Sequence, residues 1–200
     1  MGILKGMNYL AHAFLSPPDS SVLAGNLAGD SVRRIRIDAA DPEFRKGLDL
    51  HEKIDSATDA HPLFKEMRRG IDGAGLPYAG VLADLFIDYA LASRWQRFSR
   101  EPFSGFKSRI YRVLKEEERH ILEGFGFTAM VLVREDWFES YRSLDGMRTA
   151  FFRLNRKTRR SLPVDSIMAY LSSNNLHVQE SGEEILKSVA EKVGCKLPHY

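Results

Sequence analysis

The chain has 200 residues, a formal net charge of +2 and one cysteine, Cys195. A single cysteine excludes an intramolecular disulfide and zinc sites built from several cysteines, and it favours a reducing, cytoplasmic setting. The apolar runs fall far short of the roughly 20 residues that span a bilayer, the N-terminus lacks a signal-peptide core, and the small net charge gives no reason to expect nucleic acid.

The first predicted helix is a short apolar segment, residues 7–15, which ends before Pro17. Residues 1–6 are expected to be either a disordered extension or the result of a translation start upstream of Met7. His12 lies within the apolar segment, where a histidine is either a hydrogen-bonded core residue or a ligand. This segment alone does not separate the two interpretations.

Residues 20–36 contain two glycines with small neighbours, and Asp30 follows the second of them. The spacing of Gly25 and Gly29 permits a close approach of two backbones. It does not indicate a phosphate-binding loop, because no Lys-Ser or Lys-Thr pair ends it. Asp30 either caps a helix or points into the same cavity as His51.

The next predicted helix begins at Pro42 and runs to about Asp55. At about 100° per residue, His51 and Asp55 lie on the same side as Phe44, the side expected to face the core. A histidine and a carboxylate directed inward are costly unless something pairs with them. They form either a hydrogen-bonded structural pair or part of a cation site.

A polar connection, residues 56–61, precedes a short helix that is predicted from Pro62 to Arg69. His61 is a candidate N-cap of that helix. Asp59 has an equally simple interpretation as a carboxylate near a helix N-terminus. Both residues are therefore predicted to shape the turn before the helix, and the alternative that they contact a bound ion stays open.

Residues 78–95 show a clear helical period with one apolar arc. Asp88 falls within that arc and Asp84 falls at its edge. A lone buried aspartate usually accepts hydrogen bonds from the backbone or from arginine, but two of them one turn apart on a core helix are harder to explain as structural.

The rest of the chain is helical by pattern and contains no alternating strand pattern of useful length. We predict one all-α domain, residues 1–200, of about eight to ten helices. The further predicted helices span residues 103–121, 128–144, 147–158, 164–171 and 183–193.

Seven basic residues and one acidic residue lie between Arg142 and Arg160. Such a stretch indicates an acidic partner or a phosphate group, or it is an ordinary solvated helix face.

The polar residues expected on inward faces are all histidines and aspartates from the first half of the chain. Imidazole and carboxylate without thiolate suit Mn²⁺, Mg²⁺ or Fe²⁺, with zinc possible. A divalent ion in a helical bundle can polarise a phosphoryl oxygen and orient an attack on it, which predicts phosphoester hydrolysis. The six residues are His12, Asp30, His51, Asp55, Asp84 and Asp88.

Several short motifs along the chain resemble the acyl carrier protein phosphodiesterase family, and they occur in order over nearly the whole sequence. They are Met7-Asn8-Tyr9-Leu10-Ala11-His12, Gly25-Asn26-Leu27 with Gly29-Asp30, His51 with Ile54-Asp55 and Thr58-Asp59 before His61-Pro62, Asp84 with Asp88, Arg94-Trp95, Trp137-Phe138 with Tyr141, and Asp145-Gly146-Met147.

The resemblance implies an HD-like helical core and a Mn²⁺-dependent enzyme, with Mg²⁺ or Fe²⁺ as alternatives, that removes 4'-phosphopantetheine from holo acyl carrier protein. Asp30, His51 and Asp88 match the metal-site residues best, and His12 is a further candidate ligand. Asp55 and Asp84 would act beside them, so that the predicted catalytic set is Asp30, His51, Asp55 and Asp84.

The same resemblance gives the basic residues a role, because acyl carrier proteins are small and acidic. Arginines near Asp30 would hold the phosphate, and those of the basic stretch would steer the carrier protein. The first group is Arg33, Arg34 and Arg36, and the second is Arg153, Arg156, Arg159 and Arg160.

Two positions depart from the family pattern. Tyr89 stands where a histidine follows the aspartate, and Glu52 stands where an arginine follows the histidine. Tyrosine is a poor ligand for Mn²⁺ or Mg²⁺ because its pKa is near 10. The alternatives to an enzyme are therefore a non-catalytic helical module that binds acyl carrier protein or a phosphorylated ligand, and a regulatory or nucleotide-binding helical protein that uses its pocket without cleavage. Binding of Mn²⁺ separates the first of these from the enzyme.

Overall fold

The computed structural model describes residues 8–30, 42–116, 125–156 and 161–197. These residues form eleven α-helices and no strand, which confirms the all-α class. The helices are α1 (Tyr9–Phe14), α2 (Ser20–Ala28), α3 (Pro42–Ala60), α4 (Pro62–Gly73), α5 (Ala79–Ser93), α6 (Phe103–Glu116), α7 (Gly126–Arg134), α8 (Trp137–Ser140), α9 (Leu144–Asn155), α10 (Val164–Ser173) and α11 (Asn175–Val193).

Helix α5 lies at the centre of the fold. It is apolar on nearly every side, and a helix of that kind is stable only when neighbours cover it all round. Helices α1, α4 and α11 pack against it. The two aspartates of α5 are thereby placed among neighbouring helices.

Helices α2 and α3 cross with their backbones in contact. A Cβ added to Gly25 would overlap the Phe44 carbonyl, and one added to Gly47 would overlap the Val22 carbonyl. The close approach expected from the glycine spacing is therefore present, and its partner is α3. This crossing brings the middle of α3, which carries His51, against the end of α2.

Two element boundaries differ from the pattern-based prediction. Helix α3 continues to Ala60 because nothing breaks it before Pro62, and Thr58 is buried along the added turn. The predicted helix 128–144 is two helices, because Asp136 adopts a left-handed conformation with φ of 47°. The side chains of Lys107 and Tyr111 on α6 donate hydrogen bonds to the Asp136 carboxylate and hold that turn.

Two other ends also shift. Helix α4 passes Gly70 and ends at Gly73, and α11 begins at Asn175, well before the predicted start at residue 183. None of the helices in the described part of the chain is long and apolar enough to cross a membrane. The predicted N-terminal extension, residues 1–6, lies outside the described residues.

Candidate active site

His51 is buried where α3 crosses the end of α2. Its Nδ1 lies 2.8 Å from the backbone carbonyl oxygen of Asn26. A carbonyl oxygen only accepts, so Nδ1 carries a hydrogen and the lone pair of the neutral imidazole is on Nε2. Gly29 covers the ring so closely that a Cβ there would overlap it.

His12, from α1, stacks on His51 with ring centroids 4.4 Å apart. Its Nδ1 lies 2.7 Å from the side-chain oxygen of Asn26, whose amide nitrogen donates to the His12 carbonyl and to the Ser16 hydroxyl. These two donations fix the orientation of the Asn26 amide. Asn26 therefore sets the tautomer of both histidines, His12 through its side chain and His51 through its backbone.

The carboxylate of Asp55 lies next to the Nε2 atoms of both histidines, which are the ring nitrogens that do not contact Asn26. Its two oxygens lie 3.1 Å from His12 Nε2 and 3.3 Å from His51 Nε2. The carboxylate of Asp30, 15% exposed, lies 3.6 Å from the same His51 nitrogen. Since neutral Nε2 atoms and carboxylates are all acceptors, this cluster needs a proton or a cation between its members.

The electrostatics of the cluster follow from this geometry. Burial opposes the charge of His51, but hydrogen bonds to Asp30 and Asp55 outweigh it and raise the pKa of His51 to about 10. Burial likewise opposes the charge of Asp55, yet the hydrogen bonds from His12 and His51 hold its pKa well below the usual value. The site thus favours positive charge between these side chains.

The donor atoms also fit a divalent cation. One atom each from His12, His51 and Asp55 lie within 4.8 Å of one another. Imidazole nitrogen with carboxylate oxygen suits Mn²⁺ and related ions, and each histidine has its other nitrogen held by a hydrogen-bond acceptor, as metal-binding histidines usually do. These residues could hold the ion, with Asp30 beside them.

The two aspartates of α5 have different surroundings. Asp88 is fully buried, and its oxygens accept the backbone N–H groups of Leu10 and Ala11 at 3.1 and 2.8 Å. It anchors the start of α1 and so the position of His12, and the structure does not place it among the clustered ligand atoms. Asp84 lies one turn earlier, where burial and then the neighbouring charge of Asp55 raise its pKa well above the usual value.

An open cavity of about 590 Å³ adjoins Asp55 and Asp84. That volume lies within the range of small-molecule sites. Its described walls come from α3, α4, the start of α5 and the segment before α1, and they comprise Asn8, Glu52, Asp55, Ser56, Thr58, Asp59, Phe64, Arg68, Tyr78, Ala79, Gly80, Val81 and Asp84.

The corner after α3 has the predicted form. His61 is the N-cap of α4, and its Nδ1 accepts the Leu63 N–H at 3.2 Å. Asp59 pairs with Arg68 at 3.5 Å and lines the cavity. His61 is therefore part of the corner, whereas Asp59 is part of the corner and of the cavity wall.

Tyr89 lies on another face of α5. Its hydroxyl donates to the side-chain oxygen of Asn175 at 2.6 Å and accepts from Gln179, both on α11. The position at which the chain departs from the family pattern therefore lies against the last helix.

Of the arginines predicted to hold the phosphate or to steer the carrier protein, two lie within the described residues. Arg153 is largely buried and donates to the Ser140 hydroxyl and the Glu135 carbonyl, both at 2.7 Å, so it links α9 to the preceding helices. Arg156 is exposed and lies 3.4 Å from Glu135. The others lie outside the described residues, namely Arg33, Arg34, Arg36, Arg159 and Arg160.

Two residues of the site were not predicted from the sequence. They are Asn26, which orients both histidines, and Arg68, which lines the cavity. Asn26 is fully buried on a helix of apolar and small residues, and a buried amide in such a setting was the available signal. No comparable signal marked Arg68, because an exposed arginine on an amphipathic helix is ordinary.

We expect Gly29→Ala to weaken Mn²⁺ binding, because the added methyl group overlaps the His51 ring. Overpacking of this kind costs about 1–3 kcal/mol of unfolding free energy. Calorimetric Mn²⁺ titration and urea unfolding measure the two effects. Gly73→Ala is the control, since a Cβ there meets no atom within 4 Å. Unchanged Mn²⁺ affinity in Gly29→Ala would contradict the packing of His51 described above.

The fold and the site together define an all-helical protein with an inward-facing histidine and aspartate cluster beside an open cavity. The chain belongs to the acyl carrier protein phosphodiesterase family, whose model matches residues 7–189. The predicted family is thereby confirmed.

Curated relatives agree with this assignment. The acyl carrier protein phosphodiesterase of Escherichia coli O6:H1 is 27% identical over 144 residues, which are 70% of this chain and 72% of that protein. The proteins of the same name from Escherichia coli O139:H28 and from strain K12 DH10B match at 27% identity over the same shares of each chain. No solved structure matches the chain significantly.

Proposed function

We propose that the chain is a metal-dependent phosphodiester hydrolase that releases 4'-phosphopantetheine from the carrier serine of holo acyl carrier protein. The observation that carries the proposal is the convergence of two histidine Nε2 atoms and two carboxylates at one point beside a cavity. Family membership and the names of the relatives support the substrate.

Four residues would hold the ion: His12, His51 and Asp55, with Asp30 beside His51. A divalent cation, with Mn²⁺ preferred and Mg²⁺ or Fe²⁺ as alternatives, supplies Lewis-acid polarisation of the phosphoryl group and a more acidic water. Asn26 and Asp88 act on this set indirectly, since Asn26 orients both imidazoles and Asp88 anchors the helix that carries His12.

Asp84 is our candidate proton donor. Hydrolysis forms a bond from water oxygen to phosphorus and breaks the bond from phosphorus to the serine oxygen, which must then gain a proton. Asp84 borders the cavity beside Asp55, and its raised pKa favours the protonated carboxyl that a general acid needs.

The proposed protein partner is acidic, and the exposed Arg156 is a described residue that could attract it. Arg153 is better explained as a structural residue, because its guanidinium is already bound within the fold.

The test is to incubate the protein with holo acyl carrier protein and Mn²⁺ and to weigh the carrier by mass spectrometry. We expect loss of the phosphopantetheine mass, which a chelator prevents. In Asp84→Asn we expect a fall in kcat of about 10²–10⁴-fold, the usual contribution of a general acid, with Mn²⁺ still bound. An unchanged carrier mass in the presence of bound Mn²⁺ would refute the substrate. If Mn²⁺ does not bind at millimolar concentration, the non-catalytic module is the better description.

A further inference from the structure

The cavity beside Asp55 is large enough to hold more than a phosphate group. It has a volume of about 590 Å³, and Asp55 belongs both to its wall and to the histidine cluster. A phosphate that reacts at the cluster would therefore have the rest of its molecule directed into this space or out to solvent.

The charge of the cavity is unlike that of a phosphate-binding site. Away from the cluster, Glu52 and Asp59 line it against one guanidinium, that of Arg68, among the described residues. The other two carboxyl groups of the wall are that of Asp55, which belongs to the cluster, and that of Asp84, which is protonated in the proposed reaction. Asp59 pairs with that guanidinium at 3.5 Å and offsets its charge. Away from the cluster, the walls disfavour any further negative charge on a ligand.

The remaining walls offer both apolar contact and neutral hydrogen-bonding groups. Phe64 and Val81 supply the first, and Ser56 and Thr58 supply the second. Gly80 has no side chain to fill the space beside Arg68. A Cβ placed there would lie 3.9 Å from the guanidinium of Arg68, in ordinary contact. A side chain longer than alanine at position 80 would reduce the space next to Arg68.

We propose that this cavity takes the neutral amide-containing chain of the phosphoester and that its carboxyl groups exclude a chain carrying a further negative charge. The inference rests on the proposed function and adds to it the subsite and its charge selectivity. An uncharged chain of amide groups matches walls that combine hydroxyl groups with apolar surface, whereas a nucleotide or another polyanion does not.

The first test compares two ligands of nearly equal shape. Pantetheine 4'-phosphate, alkylated at its thiol, is prepared with a neutral carbamoylmethyl group and with an anionic carboxymethyl group. Binding of each to the Mn²⁺-loaded protein is measured by calorimetry, which needs no turnover. We expect the neutral ligand to bind at least about tenfold more tightly, because the like charge is repelled.

Two variants decide whether the cavity is the source of this difference. Glu52→Gln removes a carboxylate from the wall and should bring the two affinities closer together. Asp49→Asn is the matched control, because Asp49 is an exposed acid on the same helix that does not line the cavity, and it should leave the difference unchanged. Equal affinities in the natural protein, or no effect of Glu52→Gln, would overturn the charge selectivity.

The second test fills the space. Gly80→Leu should weaken binding of the neutral ligand by at least about tenfold, since buried contact area is lost to the new side chain. Gly73→Leu, at an open position, should not. Retained Mn²⁺ affinity in both variants shows that the fold and the cluster persist. Equal ligand binding by Gly80→Leu and the natural protein would refute the subsite.

The two proposals fail in distinguishable ways. If the neutral ligand binds as expected but holo acyl carrier protein keeps its mass, the hydrolase proposal fails and the subsite remains. If the carrier is hydrolysed but neither alkylated ligand binds at millimolar concentration, the subsite fails and the hydrolase proposal remains.

Discussion

His51→Ala is expected to reduce Mn²⁺ affinity by more than about a hundredfold, because losing even an indirect partner of a metal ligand costs about 10–100-fold. The variant removes a nitrogen that lies 3.3 Å from Asp55 and 3.6 Å from Asp30. It leaves both carboxylates without that partner. Calorimetry or electron paramagnetic resonance of Mn²⁺ measures the loss, and circular dichroism shows that the helices remain.

The chain offers a matched control in His61→Ala. His61 is also buried, but its ring nitrogen accepts the Leu63 N–H at the start of α4, outside the cluster. That change should cost about 0.5–2 kcal/mol of unfolding free energy for the lost cap, with Mn²⁺ affinity retained. Equal Mn²⁺ binding by His51→Ala and His61→Ala would remove the basis for a metal site at this cluster.

The pKa of His51 gives this site a defined pH dependence. In the metal-free protein it is raised from 6.5 to about 10, so the stability it contributes is complete below about pH 6.5 and is lost as the pH rises toward 10. A metal ion must displace the proton from Nε2, so Mn²⁺ affinity should increase over that same interval. Urea unfolding without metal and Mn²⁺ titration should therefore show opposite trends with pH.

Asn26→Leu is expected to lower Mn²⁺ affinity by about 10–100-fold, the usual effect of losing the group that orients a ligand. The change removes the oxygen that binds His12 Nδ1 and the amide that binds the His12 carbonyl. Each buried group left without a partner costs about 1–3 kcal/mol of unfolding free energy. The backbone oxygen that binds His51 remains.

This separation makes the prediction specific. Nitrogen-15 shifts of the imidazoles should show a changed tautomer population for His12 and an unchanged one for His51. Ser16→Ala is the control, because it removes a partner of the Asn26 amide nitrogen and leaves the oxygen on His12. If Asn26→Leu retains both the His12 tautomer and the natural Mn²⁺ affinity, the orienting role of Asn26 is wrong.

Asp88 illustrates how an inward-facing carboxylate can serve the site without joining it. The sequence marks it as anomalous in the same way as Asp84, since both lie on the apolar side of one helix. The approach of α1 separates them, because two backbone N–H groups of α1 donate to Asp88, whereas no backbone N–H group in the described residues of α1 donates to Asp84. Asp88, which was predicted to be a metal ligand, thus anchors the helix that carries His12, a proposed ligand.

Patterns in the sequence were sufficient to predict the helical class, the inward direction of His51 and Asp55, the corner at His61 and the family. These depend on local chemistry: a period of about 3.6 residues, the effect of proline on its neighbours, and short motifs in order. The packing of the helices, which these patterns do not give, decides which of the inward-facing side chains contact one another. The crossing of α2 and α3 at Gly25 and Gly47 is a contact between distant segments, and it sets the distances on which the site depends. The role of Asn26 and the separation of Asp84 from Asp88 follow from that packing, because periodicity gives the direction of a side chain and leaves its partner undetermined.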